Sequence, residues 1–242
     1  MTLVSQTPVA FVLLILLVGS QVLQAQEQNN ATSYIGVAFG TSFPLGDFKD
    51  TDITNPDAGF AENGRRIDLF GGYFLNEKVT LVGTLRYQSF DTGLEDVMEG
   101  FREDNPGVEF MGSSENWQAY YLLLGLAYRV KVGKRINLFP RVSVGPVIGS
   151  NPSITVNAPN TPNSNGFDLS SETGVGVGYE VGIGLQRNLG RHFTLLPTFT
   201  ISGGFLNIND IRTTTNNVIV TRDYQPFIQS FNLGLSLGYR FY

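Results

Sequence analysis

Phe231-Asn-Leu-Gly-Leu-Ser-Leu-Gly-Tyr-Arg-Phe-Tyr242 closes the chain, and it alternates residue by residue. Phe231, Leu233, Leu235, Leu237, Tyr239 and Phe241 share one parity. Asn232, Gly234, Ser236, Gly238, Arg240 and Tyr242 share the other. A period of two is the mark of a β-strand with two unlike faces. One face is large, apolar and aromatic at its end; the other is small or polar. In a soluble sandwich the apolar face needs a second sheet. In a membrane barrel it faces lipid, and the small polar face lines a narrow interior.

Working back from this stretch, the same alternation recurs seven times. Segments 34–43, 66–75, 79–90, 117–130, 136–149, 173–187 and 192–205 each carry it. The clearest is Thr173 to Arg187, where Val175, Val177, Tyr179, Val181, Ile183 and Leu185 alternate with Gly174, Gly176, Gly178, Glu180, Gly182 and Gly184. Short turns around Glu77, at 131–135 and at 188–191 alternate with loops of about twenty residues. These loops span 44–63, 91–116, 150–171 and 206–225. The pattern predicts an all-β fold: an eight-stranded antiparallel up-and-down transmembrane β-barrel, with short periplasmic turns and four long extracellular loops. A soluble lipocalin-like barrel is the fold alternative. It would turn the apolar face inwards and leave a Gly/Thr/Arg face outside.

Composition agrees with one domain. The chain has 242 residues, no Cys, 28 Gly, 12% aromatics and only 15% charged residues. Its mean hydropathy is zero, an average behind which a barrel hides because only every second strand residue meets lipid. A net charge of −5 excludes non-specific nucleic-acid binding, which needs a basic surface. Without Cys there is no disulfide, thiol nucleophile or lipoprotein anchor. Pro8 to Val18 is an apolar run too short to span a membrane and of signal-peptide length. Cleavage is expected before Gln26, with Gln21 as a second option, so 1–25 is the expected leader and 26–242 the barrel domain. Residues 2–8 lack the Lys or Arg usual in a leader.

Parity also sets register. Pairing symmetrically about Glu77 brings Tyr73 opposite Leu81, Leu69 opposite Leu85, and Asp68 opposite Arg86 on the inner face. A slip of one residue would send Arg86 into lipid, at a cost of about 2–4 kcal/mol at mid-depth. Aromatics sort to the two strand ends as expected of interfacial girdles. Tyr73, Tyr128, Phe193, Tyr239 and Phe241 lie towards the short turns, and Tyr87, Trp117, Tyr120 and Phe205 towards the loops. Pro140, Pro146 and Pro197 fall inside strands and remove ladder donors, which predicts bulges or strand ends there.

The leader, the eight-strand layout and the Gly238-Tyr-Arg-Phe241 end together resemble the small outer-membrane β-barrel proteins of the PorT-like group, and in layout the OmpX- and OmpA-type barrels. The resemblance covers nearly all of the mature chain. It implies a bacterial outer-membrane location, contact with outer-membrane lipid, and recognition of the last strand by the barrel-assembly machinery. Phe241 has the phase expected of that terminal signal, and Tyr242 lies one residue beyond it.

Chemistry is expected in two places. The inward positions include Asp68, Arg86, Arg129, Arg141, Glu180 and Arg240, and buried charges must be paired. The plainer reading is a structural ion-pair plug filling a lumen just wide enough for side chains. The sharper one is a gated, low-conductance pore, with the glycines flanking Glu180 leaving space. The loops are the second place. Asp47, Asp50, Asp52, Asp57 and Glu62 crowd the first, and eight more acids lie between Asp91 and Glu115. No cation-loop spacing marks a metal site, and solvated loops are expected. Thr213 to Thr221 could extend as a hairpin and bind a surface partner by strand addition. The single histidine, His192, sits at the short-turn end, away from any loop nucleophile, so no catalytic residue, metal or cofactor is expected. A structural or interaction role through the loops is therefore the leading expectation, a small pore the alternative, and a lipid-modifying enzyme the least favoured.

Overall fold

A computed structural model describes residues 33–52, 55, 57–132, 136–159, 167–189, 192–215 and 218–242. The expected leader lies outside the described residues. Thirteen strands are present among them, five more than the alternation predicts. Eight form a closed ring: β1 (Ser33–Pro44), β2 (Ala61–Phe74), β3 (Val79–Thr92), β5 (Trp117–Tyr128), β7 (Ile136–Ser150), β10 (Thr173–Leu189), β11 (Phe193–Thr215) and β13 (Phe227–Phe241). Each pairs antiparallel with the next, and β13 pairs back onto β1 from Ser33↔Phe241 to Pro44↔Ser230. Closure leaves this sheet no free edge.

The hairpin register follows from parity. Tyr73 pairs with Leu81, Leu69 with Leu85, and Asp68 with Arg86. At the turn, Asn76 Oδ1 accepts the backbone N–H groups of Lys78 and Val79 at 2.9 and 2.8 Å, which fixes its geometry. Outside the ring stands an exposed apolar band that includes Leu69, Leu85, Leu124, Val142, Val181 and Leu235. Trp117 corrects the girdle expectation. It shares parity with Ala119, Tyr121 and Leu123, and all four are buried inside the ring.

The prolines cause no bulge, and the strands that carry them run on, but opposite Pro140 the partner strand β5 ends at Tyr128. Pro140 pairs with Ile183, Pro146 with Val177, and Pro197 with Leu235, in unshifted register. On the opposite side each lacks its N–H, and there the ladder pauses for two residues. The pause opposite Pro140 separates β5 from the short β6 (Val130–Lys131), which resumes the same register on β7. Pauses on β7 and β11 also fall opposite Leu122 and Leu185. A ring strand tolerates a missing donor if its neighbours hold the register on both sides.

The long connections hold structure of their own: this corrects the expectation of solvated loops for the second and third, while the fourth pairs across Thr213–Thr221 as the hairpin expected there. The second contains α1 (Leu94–Asp104) and β4 (Met111–Ser114). The third contains β8 (Ile154–Asn157) and β9 (Phe167–Leu169). In the fourth, β11 runs on beyond the ring and folds back with β12 (Val218–Tyr224). These form a second antiparallel sheet in the order β12–β11–β9–β8–β4. Strand β11 belongs to both sheets. It changes direction at a bulge between Ile208 and Ile211, where Asp210 takes a left-handed backbone with φ 61° and donates its N–H to Asp223 Oδ1 at 3.3 Å.

Candidate functional site

The interior of the ring is layered. At the short-turn end, Tyr34, Phe70, Phe74, Val82, Ala127 and Phe139 form a buried apolar layer. Towards the loops a second apolar layer is built on Phe48, Phe90, Trp117, Tyr121, Leu206 and Ile228. Phe48, from a single 3-10 turn after β1, drops its ring edge-on to both Phe90 and Trp117.

Charged and polar groups occupy the middle. Asp68 and Arg86 form a two-point pair, with Nε to Oδ1 at 2.8 Å and Nη2 to Oδ2 at 3.0 Å. Arg86 Nη2 also bonds Glu180 Oε2. Arg141 Nη2 lies 2.8 Å from Glu180 Oε1. Asp68, Arg86, Arg141 and Glu180 are thus brought together from β2, β3, β7 and β10. Arg129 and Arg240 are not. The Arg129 guanidinium sits 4.0 Å from the centre of the Phe74 ring, and that of Arg240 lies 5.7 Å from the Tyr242 ring, both at the short-turn end.

Arg66 is the member that sequence reasoning missed, although it shares the parity of Asp68. Its Nη1 and Nη2 donate to Thr200 Oγ1 at 3.1 Å and Thr198 Oγ1 at 3.0 Å, and it lies 3.9 Å from both Asp68 and Glu180. Three guanidinium groups therefore face two carboxylates. Above them Gln88 Nε2 donates to Ser42, Ser230 and Asn232 at 2.8, 3.0 and 2.9 Å, closing a hydrogen-bonded ring of side chains. The space beside the β10 glycines is taken by neighbouring groups. A Cβ on Gly178 would lie 2.7 Å from the Tyr121 ring, and one on Gly184 3.1 Å from Leu196. Large inward side chains occupy the room that the small ones release.

Inside the ring a cavity of only about 10 Å³ lies among Tyr34, Phe70, Phe139 and Leu196, and a far larger one lies beyond it. A cavity of about 530 Å³ sits over Trp117, between α1, the first long loop and the inner face of the second sheet. Val97 and Phe101 line it from α1, Leu169 from β9, Ile211 from β11 and Val220 from β12. The α1 spacing Leu94, Val97, Met98, Phe101 is one apolar helical stripe, and it could have signalled this layer from sequence. Among the described residues no three His, Asp or Glu side chains converge as metal ligands. Below the ring, His192 stacks on Tyr239 with ring centres 5.4 Å apart.

A closed antiparallel ring, an apolar outer band and an ionic core define a β-barrel of the outer-membrane type. Residues 10–241 match the model of the outer membrane protein beta-barrel domain, and the chain belongs to that family. It is a protein of the bacterial outer membrane. A major outer membrane protein from Thermus thermophilus superposes with a TM-score of 0.50 at 14% identity, covering 87% of this chain and 99% of that one. OprG from Pseudomonas aeruginosa gives 0.44 at 11% identity, covering 88% and 96%. Ail, the attachment invasion locus protein of Yersinia pestis, gives 0.40 at 16% identity, covering 87% and 97%. Comparison with the curated proteins found no match.

Proposed function

We propose that the eight-strand ring is a sealed transmembrane anchor and that the folded loops carry the protein's function as a binding surface. In this reading the short turns lie in the periplasm, the loops face the exterior, the apolar band contacts lipid, and β13 is the strand that the assembly machinery takes up. Within the family we place the chain with the PorT-like group, on its leader and its Gly238–Phe241 end.

The observation that carries the reading is the filled lumen. The Asp68–Arg86–Glu180–Arg141 cluster lies between two aromatic layers, and a buried network of this kind is costly to open because each freed charge loses its partner. The loops, in contrast, are ordered into a sheet, a helix and a cavity. Catalysis is no part of the proposal: His192 lies at the end of the ring opposite the cavity. Efflux of small ions from proteoliposomes tests it. Retention equal to that of empty liposomes agrees with a sealed anchor, and leakage in proportion to protein contradicts it.

A narrow anion-preferring pore is the second reading. It is favoured by the excess guanidinium charge, and by an Arg141 side chain that keeps 11% of its surface exposed while Arg66 and Arg86 keep almost none.

A further inference from the structure

We propose that the cavity over Trp117 is a binding site for a neutral, largely apolar small molecule, such as a long-chain alcohol. This names the ligand class of the loop surface and rests on the reading of the loops as the working part.

Size and chemistry point the same way. A volume of about 530 Å³ is that of a small-molecule pocket. The walls are carbon: Trp117, Val97, Phe101, Leu169, Ile211 and Val220. The amides at the wall face their own loops. Asn55 donates to Asp50 Oδ2 at 2.6 Å and accepts the Asp57 N–H at 3.0 Å. Asn151 donates to the carbonyls of Pro152 and Ser170 at 2.9 and 2.7 Å and accepts the Glu172 N–H at 2.9 Å. The Trp117 indole N–H is held by the Gly59 carbonyl at 2.8 Å. Thr213, Arg222 and the Tyr224 hydroxyl are the remaining polar groups at the wall, too few for a polar ligand to pair most of its own groups, whereas an apolar void takes up apolar guests.

The charges around the cavity disfavour both ionic classes. Among the described residues Arg222 is the one charged residue lining the cavity, and its guanidinium lies 5.8 Å from the Tyr224 ring, which disfavours a cation. The Tyr224 hydroxyl at the cavity wall lies 3.5 Å from the Asp57 backbone carbonyl and feels the Asp57 and Asp47 carboxylates, whose negative charge opposes that of Arg222 and disfavours an anion. The loop sheet therefore offers shape and apolar area with little polar recognition.

Trp117 is the single tryptophan of the chain, so it reports on its own cavity. The experiment is quenching of its fluorescence by ω-bromodecanol, with protein in lipid vesicles. Saturable quenching is expected, weakened about tenfold or more by Thr213→Phe, whose side chain would occupy the space. Val220→Phe, on β12 and outside the ring, should do the same without touching the barrel. Quenching that rises linearly with lipid partitioning and is equal in wild type and both variants overturns the proposal. Tighter saturation by ω-bromodecanoate than by the alcohol overturns the neutral class. Ion leakage through the same vesicles reports on the lumen alone, so failure of the sealed barrel and failure of the pocket are told apart.

Discussion

Asp68 and Arg86 face each other across the β2–β3 hairpin in a two-point ion pair, at 2.8 and 3.0 Å. The pair joins adjacent strands, and Arg86 then reaches across the lumen to Glu180 on β10. One guanidinium thus ties opposite walls of the ring.

Removing Glu180 takes the carboxylate from Arg141 and leaves Asp68 alone to balance three guanidinium groups, Arg66, Arg86 and Arg141. Glu180→Ala is expected to destabilise the folded protein by about 3–5 kcal/mol. Denaturant unfolding of vesicle-inserted protein measures this, and an unchanged midpoint would mean the cluster is not held as described.

The Asp68–Arg86 pair should couple energetically. A double-mutant cycle with Asp68→Ala and Arg86→Ala is expected to return an interaction of about 0.5–3 kcal/mol. Purely additive effects would show that water replaces the pair.

Gly178 sits where a Cβ would press on the Tyr121 ring. Gly178→Val should cost about 1–3 kcal/mol by overpacking. The same substitution with Tyr121→Ala should recover part of that loss, because the space then opens.

The outer band is a prediction about solvent. Val181 is 53% exposed on the outward face of β10. In lipid, Val181→Arg should destabilise by about 2–4 kcal/mol at mid-depth. A barrel with water outside would tolerate it within a few tenths.

Tyr224, on the loop sheet, responds to alkali. Burial pushes its hydroxyl up to about 12, and the Asp57 and Asp47 carboxylates push the same way while Arg222 pulls it down. A raised pKa favours the neutral phenol in the fold. Its stabilising share is full below pH 10, the ordinary tyrosine value, and is lost as pH climbs to about 12. The phenolate absorbance difference between wild type and Tyr224→Phe should show this residue titrating late. Titration near 10 would contradict its buried setting.

The ring was legible in the sequence because its signal is periodic. Parity alone put Asp68 and Arg86 on one face, and the turn at Glu77 set them opposite each other. The same parity covers Arg66, and it contradicts a girdle role for Trp117. Arg129 and Arg240 share the inward face but lie at another depth, and parity carries no information about depth. The loop sheet was less legible. Strands of three or four residues, such as Phe167–Leu169 and Met111–Ser114, are too short for an alternation to register, and their partners lie far along the chain. The cavity depends on that long-range pairing, so in the sequence only one wall was legible, the Thr213–Thr221 hairpin that pairs as β11 and β12, while the α1 stripe went unread. Of the bulges or strand ends expected at the prolines, only the end of β5 opposite Pro140 appears, because neighbouring strands hold the register around a missing donor.

Single-channel recording in planar bilayers separates a sealed anchor from a pore. The wild-type protein is predicted to give no conductance steps. Glu180→Ala, which frees Arg141 and leaves Arg86 only its Asp68 partner, is predicted to leak more than the wild type. Discrete steps in the wild type, altered by Glu180→Ala or Arg141→Ala, would make the lumen the working site and contradict the sealed anchor.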